Sequence, residues 1–308
     1  MNRCPITYRK CGSSLYSAEG LKLLSPLLRE LKPLPFTSEK LRLEAFSRSG
    51  EFSLPGSSLK ILAKINNSAE SFEVSPKGKF ILKPQNILYP EIPENEDLTM
   101  KMAETCGIEV SVHGLIYNSD KSLTYFIKRF DRGTGKIKFS VEDFAQLSEK
   151  TNNRKYDSSM EEIAALINKY STFPVLDKIK LLRVVIFNYL SGNSRAHLKK
   201  FSLIKKDDVV SLGPFYALLN SAIIDTGSDS EIALALNGKK NLFNKSDFID
   251  YFAGSVLGLN SKTILNILNK FESSISSWFE LIQISFLSPK MKEKYFIVLE
   301  KRIKQFLK

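Results

Sequence analysis

The chain has 308 residues, 43% hydrophobic and 25% charged, which excludes disordered and collagen-like architectures and is enough for one large domain or two ordinary ones, burying about 75% of the unfolded surface. Lysine and arginine number 45 against 33 acidic residues, a formal charge of +12; the excess favours an anionic partner (nucleic acid, nucleotide, acidic protein or membrane surface) or else reflects a generally solvated basic surface. Three cysteines without CxxC spacing and two histidines argue against a disulfide scaffold or a zinc site, and neither a secretory-type apolar stretch at Met1–Gly12 nor a run near 18 apolar residues appears, so a cytoplasmic protein without a membrane partner is expected.

Residues 1–50 read as irregular with helical patches, a short amphipathic run opening at Ser17-Ala18-Glu19-Gly20-Leu21 before Pro26, Pro33 and Pro35 interrupt it. From Glu51 the pattern changes. Leu59–Ile65, Phe72–Val74 and Lys79–Lys83 read as strands separated by the turns Asn66-Asn67-Ser68 and Pro76-Lys77-Gly78, an antiparallel meander. Pro93-Glu94-Asn95-Glu96 then starts a helix through Leu98, Met102 and Cys106 that Gly107 stops, and strands follow at Val110–Tyr117 and Leu123–Phe130. Asp131-Arg132-Gly133-Thr134-Gly135 is the candidate hinge. Beyond it Val141–Ser148, Met160–Tyr170 and Leu176–Leu190 carry helical apolar spacing, and the residues from Ser246 onward read as three helices.

The expected fold class is therefore α+β: a small β-rich N-lobe with one helix, residues 1–132, and a larger helical C-lobe, residues 133–308. A cleft between such lobes could hold a nucleotide. Three segments carry candidate chemistry. Ser53-Leu54-Pro55-Gly56-Ser57-Ser58-Leu59-Lys60 is either a plain β-turn or a Gly/Ser turn whose backbone N–H groups approach phosphate. Lys83 ends a strand just ahead of Glu94 and Glu96 on the helix; it is either an edge-strand lysine in solvent or a strand lysine held by a helix glutamate, the device with which protein kinases position nucleotide phosphates. Third, an apolar helix ends at Gly192 and is followed by a polar loop with His197, a short strand, and Ser211-Leu212-Gly213-Pro214-Phe215-Tyr216-Ala217-Leu218, the layout of a kinase catalytic loop with its metal-binding segment.

On these residues the chain resembles the HipA-like serine/threonine kinases of bacterial toxin–antitoxin systems, and most closely their shorter HipT type. Cys4-Pro5-Ile6-Thr7-Tyr8, Tyr16-Ser17-Ala18-Glu19-Gly20-Leu21, Ile81-Leu82-Lys83-Pro84, Pro93-Glu94-Asn95-Glu96, Ile127-Lys128-Arg129-Phe130-Asp131-Arg132, Glu142-Asp143-Phe144-Ala145-Gln146-Leu147 and Gly192-Asn193-x-x-x-His197-x-Lys199 follow the family order over nearly the whole length. The resemblance implies a two-lobed kinase fold. It also implies nucleotide contacts at Lys83, His197, the backbone of Lys128, Arg129 and Phe130, and the Gly56, Ser57 and Ser58 turn, with Ser53 at the position of a regulatory autophosphorylated serine.

The departures shape the functional expectation. The family loop runs Gly-Asn-x-Asp-x-His-x-Lys-Asn, its aspartate orienting the substrate hydroxyl and its last asparagine holding metal; these places are Arg195 and Lys200 here. The family's Pro-x-Tyr-Asp-Leu, which supplies a second metal ligand, is Pro214-Phe215-Tyr216-Ala217-Leu218, and the glycine-turn glutamine is also missing. Phosphoryl transfer relies on Mg²⁺ to neutralise the phosphates and on a group that positions the hydroxyl, and a thousandfold loss per group corresponds to about 4 kcal/mol.

The expectation is a pseudokinase with no intact catalytic residue and no metal site, taking ATP without Mg²⁺ and acting through binding. Arg195 and Lys200 either attract nucleotide phosphates or fill the site with salt bridges. The implied partners are an antitoxin, an active kinase paralogue, or an aminoacyl-tRNA synthetase-type target. The alternatives are a residual kinase, a kinase fold with rewired transfer chemistry, and an electrostatic nucleic-acid binder; no helix-turn-helix, zinc finger or aromatic RNA-binding signature supports sequence-specific recognition of DNA. His113 reads as a structural or surface histidine in a strand rather than a ligand, Trp278 as a packing aromatic and Cys106 as a small buried hydrophobe.

Overall fold

The computed structural model describes residues 2–48, 59–225, 227 and 229–307. The chain divides into two compact units. One comprises residues up to Leu98, Ser111–Arg129 and Ile284–Leu287; the other comprises Thr99–Val110, Phe130–Gln283 and Ser288 onward.

In the first unit two short helices, α1 (Ala18–Leu24) and α2 (Ser38–Ser47), precede the strands β1 (Ile61–Asn66), β2 (Ser71–Val74) and β3 (Phe80–Lys83). Each helix starts where a hydroxyl caps it: Ser17 accepts from the Gly20 N–H and Thr37 from the Lys40 N–H. Helix α3 (Ile92–Thr105) follows, its first two turns in this unit, and then β4 (His113–Tyr117) and β5 (Leu123–Lys128). The five strands form an antiparallel sheet in the order β2-β1-β3-β5-β4. The expected strands are thus present with ends shifted by one to three residues, as tertiary pairing rather than local pattern sets where a strand stops. Phe72, Phe80 and Phe126 meet on one face with centroids 5.3–6.1 Å apart, joined by Leu21, Leu24, Leu41 and Leu82 in a single apolar core.

In the second unit β6 (Ser140–Asp143), β7 (Ser202–Lys206) and β8 (Val209–Leu212) make a small antiparallel sheet, with α4 (Phe144–Leu147), α5 (Met160–Tyr170), α6 (Pro174–Leu190), a π-helical segment Asp247–Val256, α7 (Ser261–Ile284) and α8 (Pro289–Leu307). The helix expected over Val141–Ser148 is corrected. Its first residues pair with β7, and only at Asp143 does a capping box with Gln146 turn the chain into the single turn α4. The three helices expected after Ser246 are found, the first with π geometry.

The Asp131–Gly135 segment is a hydrogen-bonded hairpin, with Gly133 N–H donating to Ile137 and Phe139 N–H to Asp131. Gly107 ends α3 with a left-handed φ of 76°, and the Ile108 N–H reaches back to Ala103. Trp278, fully buried, donates to the Met102 carbonyl at 3.0 Å and to Thr105 Oγ1 at 2.8 Å, and Cys106 is buried with its thiol pushed up to about 12 by desolvation, so both are structural. Among the described residues no helix is long and apolar enough to cross a membrane.

Candidate functional site

Lys83 lies at the end of β3, an interior strand between β1 and β5, so it is not an edge lysine. Its Nζ meets Glu96 Oε1 at 2.5 Å, both side chains nearly buried, and sits 5.2 Å from the centroid of Tyr125, its partner across the strands. Of the two helix glutamates, Glu96 therefore takes the lysine. Glu94 is held by Gln85, whose amide donates to both carboxylate oxygens (2.7 and 2.9 Å) and to the Leu123 carbonyl. Burial, with Glu91 and Asp97 as like charges, pushes the Glu94 carboxyl up to about 7 against the opposing bond from Gln85. Next along the helix, Asp97 Oδ1 lies 2.8 Å from His113 Nδ1, and the His113 ring stacks on Tyr125 at 5.9 Å. Of the structural and surface readings of His113, burial excludes the surface one, and its bonded partner is Asp97.

At the end of β5 the Lys128 and Arg129 N–H groups donate to Val112 and Lys79 carbonyls at 2.7 and 2.8 Å. The sheet therefore uses the two backbone donors that the sequence offered for adenine. Ser53, Gly56, Ser57 and Ser58 lie outside the described residues.

The second set of candidates lies in the other unit, in the loop after α6. Gly192 carries a left-handed φ of 74°, and a Cβ there would come within 2.7 Å of Asn220 Oδ1, so only glycine fits. Asn193 donates to Asn188 Oδ1, and Ser194 and the Gly192 carbonyl both bond to the Ser221 hydroxyl, which fixes the loop's entry. Arg195 forms an ion pair with Asp225, and Lys199 lies 3.5 Å from Asp143, the cap of α4. His197 caps the short turn Leu198–Lys200 through Nδ1, accepting from Lys199 N–H, with Tyr156 edge-on at 4.9 Å. Burial, followed by the fields of Lys200, Lys155 and Lys199, lowers His197 to about 3, so it is a neutral hydrogen-bond acceptor at physiological pH. A histidine in this state cannot contribute positive charge to a ligand.

Tyr216 is half-buried, its hydroxyl shared with Ser202 (2.7 Å) and the Lys199 carbonyl (3.1 Å), and its ring stacks on Phe130 at 5.7 Å. The next residue, Ala217, has φ 54°, a region in which Asn and Asp are several-fold enriched and a plain β-carbon is unfavourable. Among the described residues no group of three or more His, Cys, Asp or Glu side chains could hold a metal ion.

The sequence singled out Lys83, Glu96, Arg195, His197, Lys200 and Ala217. It missed Gln85, Asp97, Tyr125, Tyr156, Asp143 as a lysine partner, and Asp225. The signal available was the polar run Glu94–Asp97, which reads as an ordinary acidic helix start until the fold buries all four side chains.

The chain matches the sequence profile described as the HipA-like C-terminal domain over residues 52–279. It belongs to the HipA-like family. A provisionally named kinase of Haemophilus influenzae is 28% identical to this HipA-like chain over 284 residues, covering 82% of the chain and 81% of the relative. Two provisionally named kinases of Sinorhizobium fredii, Y4mE and Y4dM, are each 30% identical, and the matches span about half of those longer proteins, 45% and 51%. Among solved structures, HipA of the Shewanella oneidensis MR-1 toxin–antitoxin system, in complex with HipB and operator DNA, superposes with a TM-score of 0.67 at 19% identity over 91% of this chain and 73% of that one. The Helicobacter pylori proinflammatory kinase CtkA gives 0.58 at 15% identity over 83% and 91%. At these identities the likeness establishes the fold: α+β, of the HipA and CtkA kinase type.

Proposed function

We propose that this HipA-like protein is a pseudokinase that takes ATP without Mg²⁺ and acts by binding rather than by phosphoryl transfer. One observation carries the reading: positions 195, 200 and 217 hold Arg, Lys and Ala where the resemblance to family kinases implies an aspartate, an asparagine and a second aspartate. Mg²⁺ requires oxygen ligands, and neither cation nor Ala217 offers a side-chain oxygen; the carboxylates nearby, Asp225 and Asp143, are engaged by Arg195 and Lys199. The residues present do not fit the metal. In the first unit the Lys83–Glu96 pair is present, which supports a retained phosphate contact. Of the two roles weighed for the substituted cations, the Arg195–Asp225 pair favours salt-bridge filling at 195, and the field that depresses His197 favours an anion-attracting character around Lys200.

The partner is proposed to be an antitoxin-type protein, by analogy with the Shewanella HipA bound to HipB; an active kinase paralogue or a synthetase-type target would use the same binding role. Thermal-shift titration tests the nucleotide reading. ATP at a hundred times its Kd should stabilise the protein by about 2.7 kcal/mol, equally in EDTA and in Mg²⁺. Robust autophosphorylation with labelled ATP and either Mg²⁺ or Mn²⁺ would overturn it. The intact Lys83–Glu96 pair also supports a second reading, an enzyme with residual or rewired transfer. That reading requires turnover in the natural sequence; activity that emerges only after Arg195→Asp, Lys200→Asn and Ala217→Asp are combined would dismiss it.

A further inference from the structure

Glu96 and Asp97 are adjacent on α3, so their side chains leave the helix roughly 100° apart. They reach different strands: Glu96 takes Lys83 on β3, and Asp97 takes His113 on β4. These strands are separated by β5, so the two anchor points stand roughly 10 Å apart across the sheet. The intervening strand is not passive. Tyr125 of β5 lies directly opposite Lys83, and its ring takes Lys83 Nζ at 5.2 Å and His113 at 5.9 Å. With Leu115 paired to Tyr125 and His113 two residues before it, all three side chains project from the same face of the sheet. Burial along α3 already limits its rotation, and two polar attachments at different azimuths fix the roll at which Glu96 points more closely than one ion pair would. The Glu94–Gln85 bond adds a hold at the loop that follows β3.

We propose that Asp97 and His113 are a positioning pair for Lys83: the bond between them sets the roll of α3 at which Glu96 meets the lysine. The inference rests on the nucleotide role of Lys83 given above for its functional consequence, and on the geometry alone for the positioning itself. His113→Phe keeps a ring over Tyr125 and removes the hydrogen bond; His113→Asn loses the ring and keeps a donor at the place of Nδ1.

The test is competitive acetylation of the intact protein without nucleotide, followed by mass spectrometry, with exposed Lys77 as reference and well-covered Lys150 as a sentinel for unfolding. His113→Phe should raise the Lys83 rate at least fivefold relative to Lys77 with Lys150 unchanged, while His113→Asn should leave it within twofold of wild type. A Lys83 rate unmoved by His113→Phe, or raised as much by His113→Asn, would overturn the proposal. If a matching rise at Lys150 shows that His113→Phe has unfolded, Asp97→Asn decides: it keeps both shapes and weakens the charge-assisted bond, a rise of at least twofold at Lys83 is expected, and anything less overturns the idea. ATP affinity measured in EDTA should fall at least tenfold in His113→Phe and stay within threefold in His113→Asn. A wild type that binds no ATP defeats the nucleotide reading and leaves the acetylation result to decide the positioning.

Discussion

The polar group on α3 and the loop after α6 are both rich in charge but hold it differently: Glu94, Glu96 and Asp97 on α3 are buried, whereas Arg195 of the loop is exposed and Lys199 and Lys200 are half-buried. On α3 each acidic side chain with a described partner is held by a group from the sheet or the loop after it: Glu94 by Gln85, Glu96 by Lys83, Asp97 by His113. In the loop the charges are mainly cations, and the one histidine among them is kept neutral. Paired burial preserves a geometry, because removing one partner strands the other; a cation-rich loop tied to nearby carboxylates fixes a backbone path without burying its charges. The family-like features that survive are accordingly those locked by a partner.

This contrast is broken most severely by Lys83→Met. The substitution leaves Glu96 buried without its cation, so a loss of about 3 to 5 kcal/mol in urea unfolding is expected, together with the loss of ATP-dependent stabilisation; adding Glu96→Leu should recover much of the stability and none of the binding.

The pH dependence sharpens the comparison, because the two regions respond with opposite sign. Glu94 has a folded pKa of about 7, above its ordinary value of 4.5, so its contribution is most favourable below pH 4.5 and is lost as pH rises through 7, by up to about 3 kcal/mol. His197 is depressed from 6.5 to about 3, so its contribution is full above pH 6.5 and is lost as pH falls towards 3. Unfolding free energies from pH 4 to 8 should therefore show Glu94→Gln losing the alkaline decline and His197→Gln losing the acid one; identical profiles for both variants would contradict the assignment.

The smallest effect is expected at Ala217, where Ala217→Gly should stabilise by about 1 kcal/mol because it relieves the β-carbon at positive φ. A destabilisation of that size in chemical denaturation would mean that the methyl group packs usefully.

Much of this was legible from residues alone. The strand meander, the helix stopped by Gly107 and the break at Gly192 follow from alternation, β-branched residues and glycine, which act locally. Asp143 shows the limit: its neighbours have helical spacing, but pairing of Ser140–Asp143 with β7, more than fifty residues away, overrides it. The same holds for the backbone of Lys128 and Arg129, whose N–H groups are taken by Val112 and Lys79, the residues just before β4 and β3.

The sequence by itself determined the order of the family-like motifs and that positions 195, 200 and 217 are Arg, Lys and Ala, on which the proposed loss of phosphoryl transfer rests, since residue identity needs no geometry. Tertiary structure decided which glutamate takes Lys83, that Asp97 and His113 join the same arrangement, and that His197 is neutral. Each depends on distance and desolvation, and α3 meets β3 and β4 only after the sheet has brought distant segments together.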